Sequence, residues 1–368
     1  MSIKAGLVGL PNVGKSTLFN ALTRSSVPAE NYPFCTIEPH IAITEVPDER
    51  LQRLVKIYQS KKFIPADVMF ADIAGLVKGA AQGEGLGNQF LSHIREVDLI
   101  IHVLRCFENP NIIHSQQKID PLADFDIIEQ ELMLKDLESL IKRREKVEKS
   151  LKIANISPAE RKQFLLEQEI LKKIHQAIDN FDAATVRKIV KESDYNALPL
   201  LSAKNFIIIA NLQESDINKE DENIHYQTLV QKFGNEKVIP LCIKLEEELA
   251  QLPENEVNEM MQELGIKERG LDTVIRKTYT NLGLITFFTC GPKEIHAWPI
   301  KKGIAIRAAS GEIHSDLERG FICAEIVNYA DIIQLGSETK AREAGKIRTE
   351  GKDYTVQDGD IVVVRFNV

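Results

Sequence analysis

Residues Gly9-Leu10-Pro11-Asn12-Val13-Gly14-Lys15-Ser16 fit the pattern G-x-x-x-x-G-K-[ST], and their setting restricts the fold more than any other part of the chain. Before them, Ala5-Gly6-Leu7-Val8 is an apolar run of buried-strand character. After them, Thr17-Leu18-Phe19-Asn20-Ala21-Leu22 has helical apolar spacing. Strand, glycine-bearing loop and helix N-terminus in succession make an anion cradle. The backbone N–H groups of Asn12, Val13, Gly14 and Thr17 and the helix dipole face phosphates, Lys15 reaches the β and γ oxygens, and the Ser16 hydroxyl can ligate Mg²⁺. The pattern implies a chain that binds a nucleoside triphosphate.

At 368 residues the chain exceeds one typical core, so two or three domains are expected. No apolar run approaches the roughly 20 residues of a membrane helix. The N-terminus runs straight into the first strand, so no secretory signal and no membrane partner are expected. Cys35, Cys106, Cys242, Cys290 and Cys323 are scattered without metal-like spacing, which fits reduced thiols in a cytoplasmic protein. A net charge of −8 argues against indiscriminate nucleic-acid binding, and no DNA partner is expected. Any RNA contact must come from a local basic surface.

The apolar runs Ala66–Ile73, Asp98–Leu104, Phe206–Ala210 and Lys237–Cys242 alternate with longer helical or loop stretches, the signature of an α/β fold with a mostly parallel sheet. A polar insertion, residues 125–201, separates the second run from the third. From about Asp126 to Ile153, Met133, Leu137, Leu140, Val147 and Leu151 follow helical spacing, interrupted by Arg144. Ser157, Pro158 and Glu160 then form an N-cap, first helical residue and capping box, and Leu171, Ile174, Ile178 and Phe181 share the next helix's face. Two narrow apolar stripes on charged helices predict an antiparallel helical hairpin, or coiled coil. From residue 282 the texture becomes that of a small α+β domain, with expected strands at Leu284–Thr289, Ile304–Arg307, Phe321–Val327 and Asp360–Phe366. Lys340, Arg342, Lys346, Arg348 and Lys352 form a basic run there, readable as a solvated loop or as a phosphate-contacting surface. The expected division is 1–124 with 202–281, then 125–201, then 282–368.

A phosphate loop alone does not separate GTPases from kinases or transporters. The second element is Asp72-Ile73-Ala74-Gly75, D-x-x-G, where Asp72 can hold Mg²⁺ through water and the Gly75 N–H can meet the γ-phosphate. Between the two, Thr36 in Asn31-Tyr32-Pro33-Phe34-Cys35-Thr36 is the candidate switch threonine for Mg²⁺. The base motif departs from N-K-x-D: Asn211-Leu212-Gln213-Glu214 puts an uncharged Leu212 and a longer Glu214 where lysine and aspartate grip guanine. Adenine becomes a plausible ligand, and the residues alone say only that this is not a standard guanine site. Ser202-Ala203-Lys204 precedes Asn211 and so cannot be the loop that closes a base pocket from behind it. Leu76 occupies the place of a water-orienting glutamine, so slow turnover is expected unless another group or a monovalent cation, which Asn12 could coordinate, helps. His114 is the remaining catalytic candidate beside Lys15. Gly83-Glu84-Gly85-Leu86-Gly87 has no strand before it and is not a second phosphate loop.

These motifs, together with Gly83-Glu84-Gly85-Leu86-Gly87-Asn88 and the tail Gly351-Lys352-Asp353-Tyr354-Thr355-Val356-Gln357-Asp358-Gly359-Asp360, closely resemble the YchF or Obg-like ATPase family along the whole chain. The resemblance implies a C-terminal ubiquitin-like β-grasp module of the TGS type. It also implies slow ATP hydrolysis, with ATP preferred to or accepted as well as GTP, stimulation by potassium, and association with ribosomes. Two other readings stand beside it: a nucleotide-dependent scaffold with incidental hydrolysis, and a guanine-specific translation GTPase.

Overall fold

The structure, a computed structural model, describes residues 3–25, 40–73, 86–109, 118–153 and 156–367, the side chains of 86–89 excepted. The chain gathers into two compact units. One holds Met1–Arg24, Glu38–Ile41 and Phe70–Gly270, and the other holds Ser25–Ile37, Ala42–Met69 and Leu271–Val368. Residues 42–69, placed by sequence with the phosphate loop, thus group with the C-terminal segment.

In the first unit the strands run in the order Asp67–Asp72 (from Phe70 onward), Lys4–Val8, Leu99–Arg105, Asn205–Asn211, Val238–Leu241. The last four are parallel, with Ala5 opposite Leu99, Leu99 opposite Asn205 and Ile208 opposite Val238. All seven residues of Leu99–Arg105 are buried, His102 and Arg105 along with the apolar ones, as in a strand covered on both faces. Lys4–Val8 stands where the order reverses: the chain goes from it to one neighbour, then back across it to the other. Ligands of open α/β sheets bind off the carboxyl ends of strands at such a place.

The insertion holds three helices where two were expected. The first, Pro121–Leu151, begins five residues before Asp126 because Asp120 caps it, accepting the Ala123 N–H at 3.1 Å. The second, Pro158–Asp179, starts on the expected capping box, with the Glu160 N–H 3.2 Å from Ser157 Oγ and the Ser157 N–H 3.1 Å from Glu160 Oε2. The third, Ala183–Ser193, is capped by Asp182. Phe181, expected on the buried face, bridges the two caps at φ +52° and is 52% exposed. Ala183 and Val186 take its place in a core with Met133, Leu140, Leu171 and Ile174. Arg144, which breaks the apolar stripe, puts Nη1 2.7 Å from His175 Nδ1 on the facing helix.

The second unit is a six-stranded mixed sheet in the order Arg348–Glu350, Phe321–Asn328, Asp360–Phe366, Leu284–Cys290, Ile295–Lys301, Phe63–Ile64. The expected strand Ile304–Arg307 is instead the start of a helix, Ile306–Ile313. The Ile306 N–H is taken by Tyr354 O at 2.7 Å, and Ile306 and Ala309 turn one face into the core. The helix Glu49–Tyr58 belongs to this unit. Its Arg50 pairs with Asp358 at 2.8 Å, and Asp358 also accepts the Thr286 N–H at 2.9 Å. The basic run is largely neutralised: Arg342 pairs with Glu325 and Glu338, Lys346 with Asp331, and Arg348 with Glu350.

Candidate functional site

The loop after the strand Lys4–Val8 turns through positive φ at Asn12 (+65°) and Gly14 (+99°), then enters the helix Lys15–Arg24. Alternating hands of backbone point successive N–H groups into one concavity. Gly9 is fixed by space, and Gly14 by space as well as by angle. A Cβ on Gly9 would lie 2.8 Å from the Val103 carbonyl oxygen, and one on Gly14 would lie 2.6 Å from Asn211 Nδ2. Lys15, nine-tenths buried, ion-pairs with Asp72 at the end of its strand, so the D-x-x-G carboxylate and the loop lysine meet across the sheet. Ser16 is exposed on the first helical turn.

Asn211 ends its strand and is 5% exposed. Its Nδ2 donates to Val13 O at 2.9 Å, its Oδ1 accepts the Ile243 N–H at 3.3 Å, and its carbonyl accepts the Cys106 N–H at 2.9 Å. Through its side chain this residue ties together loops 198 and 32 residues away in sequence, and its carbonyl adds the segment that begins at Cys106. Leu212 is buried, its N–H given to Leu241 O at 2.9 Å. Glu214 is exposed and paired with Lys244 at 2.7 Å.

These loops enclose a cavity of about 670 Å³, lined by Asn12, Gly14 and Thr17 on one side and by residues 211–215, 242–244 and Glu247 on the other. That is the size of a small-molecule site. Residues 107–109 form a third wall that the sequence reading missed. Arg105 shapes it from beneath. Its guanidinium is buried, donates from Nε to Phe107 O at 3.0 Å and from Nη2 to Asn109 O at 3.2 Å, and lies 4.8 Å from the centre of the Phe107 ring. Burial pulls the Arg105 pKa down, and the charge of Asp124, in the first turn of the insertion, opposes that pull. Lys244 and Glu247 were missed too, because their contribution depends on the strand before them ending beside Asn211.

Ser202 and Lys204 serve the scaffold. Ser202 donates through N–H and Oγ to Asp136 at 2.8 and 2.6 Å, and Lys204 donates to Arg95 O at 3.2 Å. Thr36, Gly75, Leu76 and His114 lie outside the described residues, as does the segment 83–85. Of the predicted site residues that are described, the fold brings Asn12, Val13, Gly14, Lys15, Ser16, Thr17 and Asp72 to one end of the sheet and joins them to Asn211, Leu212 and Glu214 through the Asn211 amide.

The residues present suit Mg²⁺. A hydroxyl (Ser16) and a carboxylate (Asp72) are hard oxygen donors, and Mg²⁺ bound with phosphates needs only one or two protein oxygens. Among the described residues no cluster of three or more His, Cys, Asp or Glu could hold an ion unaided.

Fold and site together define a P-loop nucleoside triphosphatase of the G-domain type, carrying a helical insertion and a C-terminal α+β unit. Residues 4–144 match the MMR_HSR1 family model, described as a 50S ribosome-binding GTPase, and residues 284–367 match YchF-GTPase_C, described as a protein of unknown function. The chain is 45% identical to the ribosome-binding ATPase YchF of Bacillus subtilis over the whole of both chains. It is 43% identical to Obg-like ATPase 1 of Oryza sativa, covering 92% of that protein and all of this one. The solved YchF GTPase of Schizosaccharomyces pombe superposes with a TM-score of 0.85 at 37% identity, over 99% of this chain and 98% of that one. The chain belongs to the YchF family.

Proposed function

We propose that this chain is a slow, nucleotide-switched ATPase that cleaves the β–γ phosphate bond and associates with ribosomes in the cytoplasm. The observation that carries the reading is the Asn211 side chain. It holds the base-side loop against the phosphate loop, so that one cavity takes both ends of a nucleotide. Backbone N–H groups of residues 12–17 and the Lys15 ammonium hold the polyphosphate, and Lys15 leaves Asp72 for it. Mg²⁺ held by Ser16 and Asp72, with Thr36 closing on it, would supply charge neutralisation at the β and γ oxygens. Asn12, which lines the cavity on the phosphate-loop side, would hold potassium. Gly75 senses the γ-phosphate, and His114 would orient the attacking water.

On the base side, Leu212 offers no charge and Glu214 is already neutralised by Lys244. That leaves no preformed carboxylate clamp for guanine's N1–H and N2–H, so ATP binds at least as well as GTP. Ribosome association is inferred from the relatives, among them the ribosome-binding ATPase YchF of Bacillus subtilis. Competitive calorimetry of ATP against GTP, with Mg²⁺ and potassium, tests the reading. GTP binding tenfold tighter than ATP, about 1.4 kcal/mol, would instead make the protein a guanine-specific GTPase. Turnover unchanged by ribosomes, with equal ribosome affinity of the ATP and ADP forms, would make it a scaffold.

A further inference from the structure

The chain carries a net charge of −8, yet residues 142–162 hold eight basic residues against three acidic ones, a local excess of five positive charges. They occupy the end of the hairpin where its first two helices are joined: the last turns of Pro121–Leu151 and the first turn of Pro158–Asp179. Two of the eight are spent inside the insertion, Arg143 on Glu167 at 2.7 Å and Arg144 on His175. One of the three acids, Glu160, is tied into the Ser157 cap. The other six cations, Lys142, Lys146, Lys149, Lys152, Arg161 and Lys162, are exposed, and none makes an ion pair with another described residue. Lys142, Lys146 and Lys149 follow one another at four- and three-residue steps, which sets them along one face of the helix over about 10 Å. The basic run of the C-terminal unit, by contrast, is mostly consumed by its own acids.

Unpaired like charges held on a rigid helix repel one another, and a polyanion relieves that repulsion while releasing its counterions. We infer that this end of the hairpin docks on the phosphate backbone of RNA. The inference rests on the ribosome-associated reading above and names ribosomal RNA as the component touched there. Ile153, Leu165 and Leu166 are also exposed at this end, which is what a protein partner would use instead.

The test is binding of the full chain to purified ribosomes, and in parallel to the protein-free RNA extracted from them, across a salt series. Replacing Lys142, Lys146, Lys149, Arg161 and Lys162 together by Gln removes five phosphate contacts. The slope of log affinity against log salt should then shallow by about 3 to 4, with at least tenfold weaker binding near 0.1 M salt and unchanged basal ATP turnover. The variant Ile153→Ser/Leu165→Ser/Leu166→Ser should bind within about twofold of the original chain. An unaltered slope in the five-fold Gln variant overturns the inference. So does loss of ribosome binding in the Ser variant from a chain that ignores protein-free RNA, which would make the partner a protein. If the original chain does not bind ribosomes at all, the ribosome-associated reading fails instead, and the free-RNA arm still decides the surface.

Discussion

Asn211→Asp changes one NH₂ to oxygen in the side chain that joins the phosphate loop to the base loop. In the native chain that NH₂ donates to Val13 O at 2.9 Å, while the other end of the amide accepts from the Ile243 N–H. The substitution keeps the shape and the acceptor but turns the donor into a second oxygen facing a carbonyl oxygen, at a position only 5% exposed. A buried acceptor stripped of its donor costs about 1–3 kcal/mol, and a buried carboxylate adds to that. Taking about 3 kcal/mol as the loss, and assigning it to the bracing of the phosphate loop against the base loop, ATP affinity should fall about a hundredfold at neutral pH. Protonation of the introduced carboxyl restores an O–H donor, so affinity should recover as the pH is lowered through its pKa. Calorimetric titration of ATP at several pH values reads both effects, and urea unfolding reads the stability share. ATP binding within twofold of the original, with an unchanged unfolding midpoint, would refute the bridge as the element that makes one site of two loops.

Lys15→Ala should abolish turnover with little loss of core packing, while leaving Asp72 without its ion-pair partner; near-native turnover in a steady-state assay would contradict the placement of the phosphates. Arg105→Gln should release the carbonyls of Phe107 and Asn109 and raise KM for ATP several-fold more than it lowers kcat, and a kcat-only effect would rule out a role in shaping that wall. His102 is fully buried between the Phe125 and Phe206 rings, and burial holds its pKa below the ordinary 6.5 despite the opposing pull of Glu129. Below about pH 6.5 the unfolded chain therefore takes up a proton that the folded chain refuses, so stability falls with pH by at most about 1.4 kcal/mol per unit. His102→Phe should flatten that part of the urea-midpoint profile, and an identical slope in the variant would assign the acid sensitivity elsewhere.

Sequence by itself determined whatever is settled within a few residues. The phosphate loop was legible because a strand, two glycines and a helix start are consecutive. The cap of the second insertion helix was legible because Ser157 and Glu160 are three apart, and the stripe from Met133 to Leu151 because helical spacing is a local rule. The same local rules misled where a neighbour distant in sequence overrode them. Ile304–Arg307 carries β-branched residues, but Tyr354 takes the Ile306 N–H and a helix starts there. Phe181 has the right spacing for the second helix, but Asp182 caps a third helix, which turns the ring outward. Tertiary structure alone decided the wall at residues 107–109, the Lys244–Glu214 pair and the grouping of Glu49–Tyr58 with the C-terminal sheet through Arg50 and Asp358. The order of the strands, fixed by which apolar faces must be covered together, chooses which loops become neighbours. No stretch of sequence carries that information until the sheet is assembled.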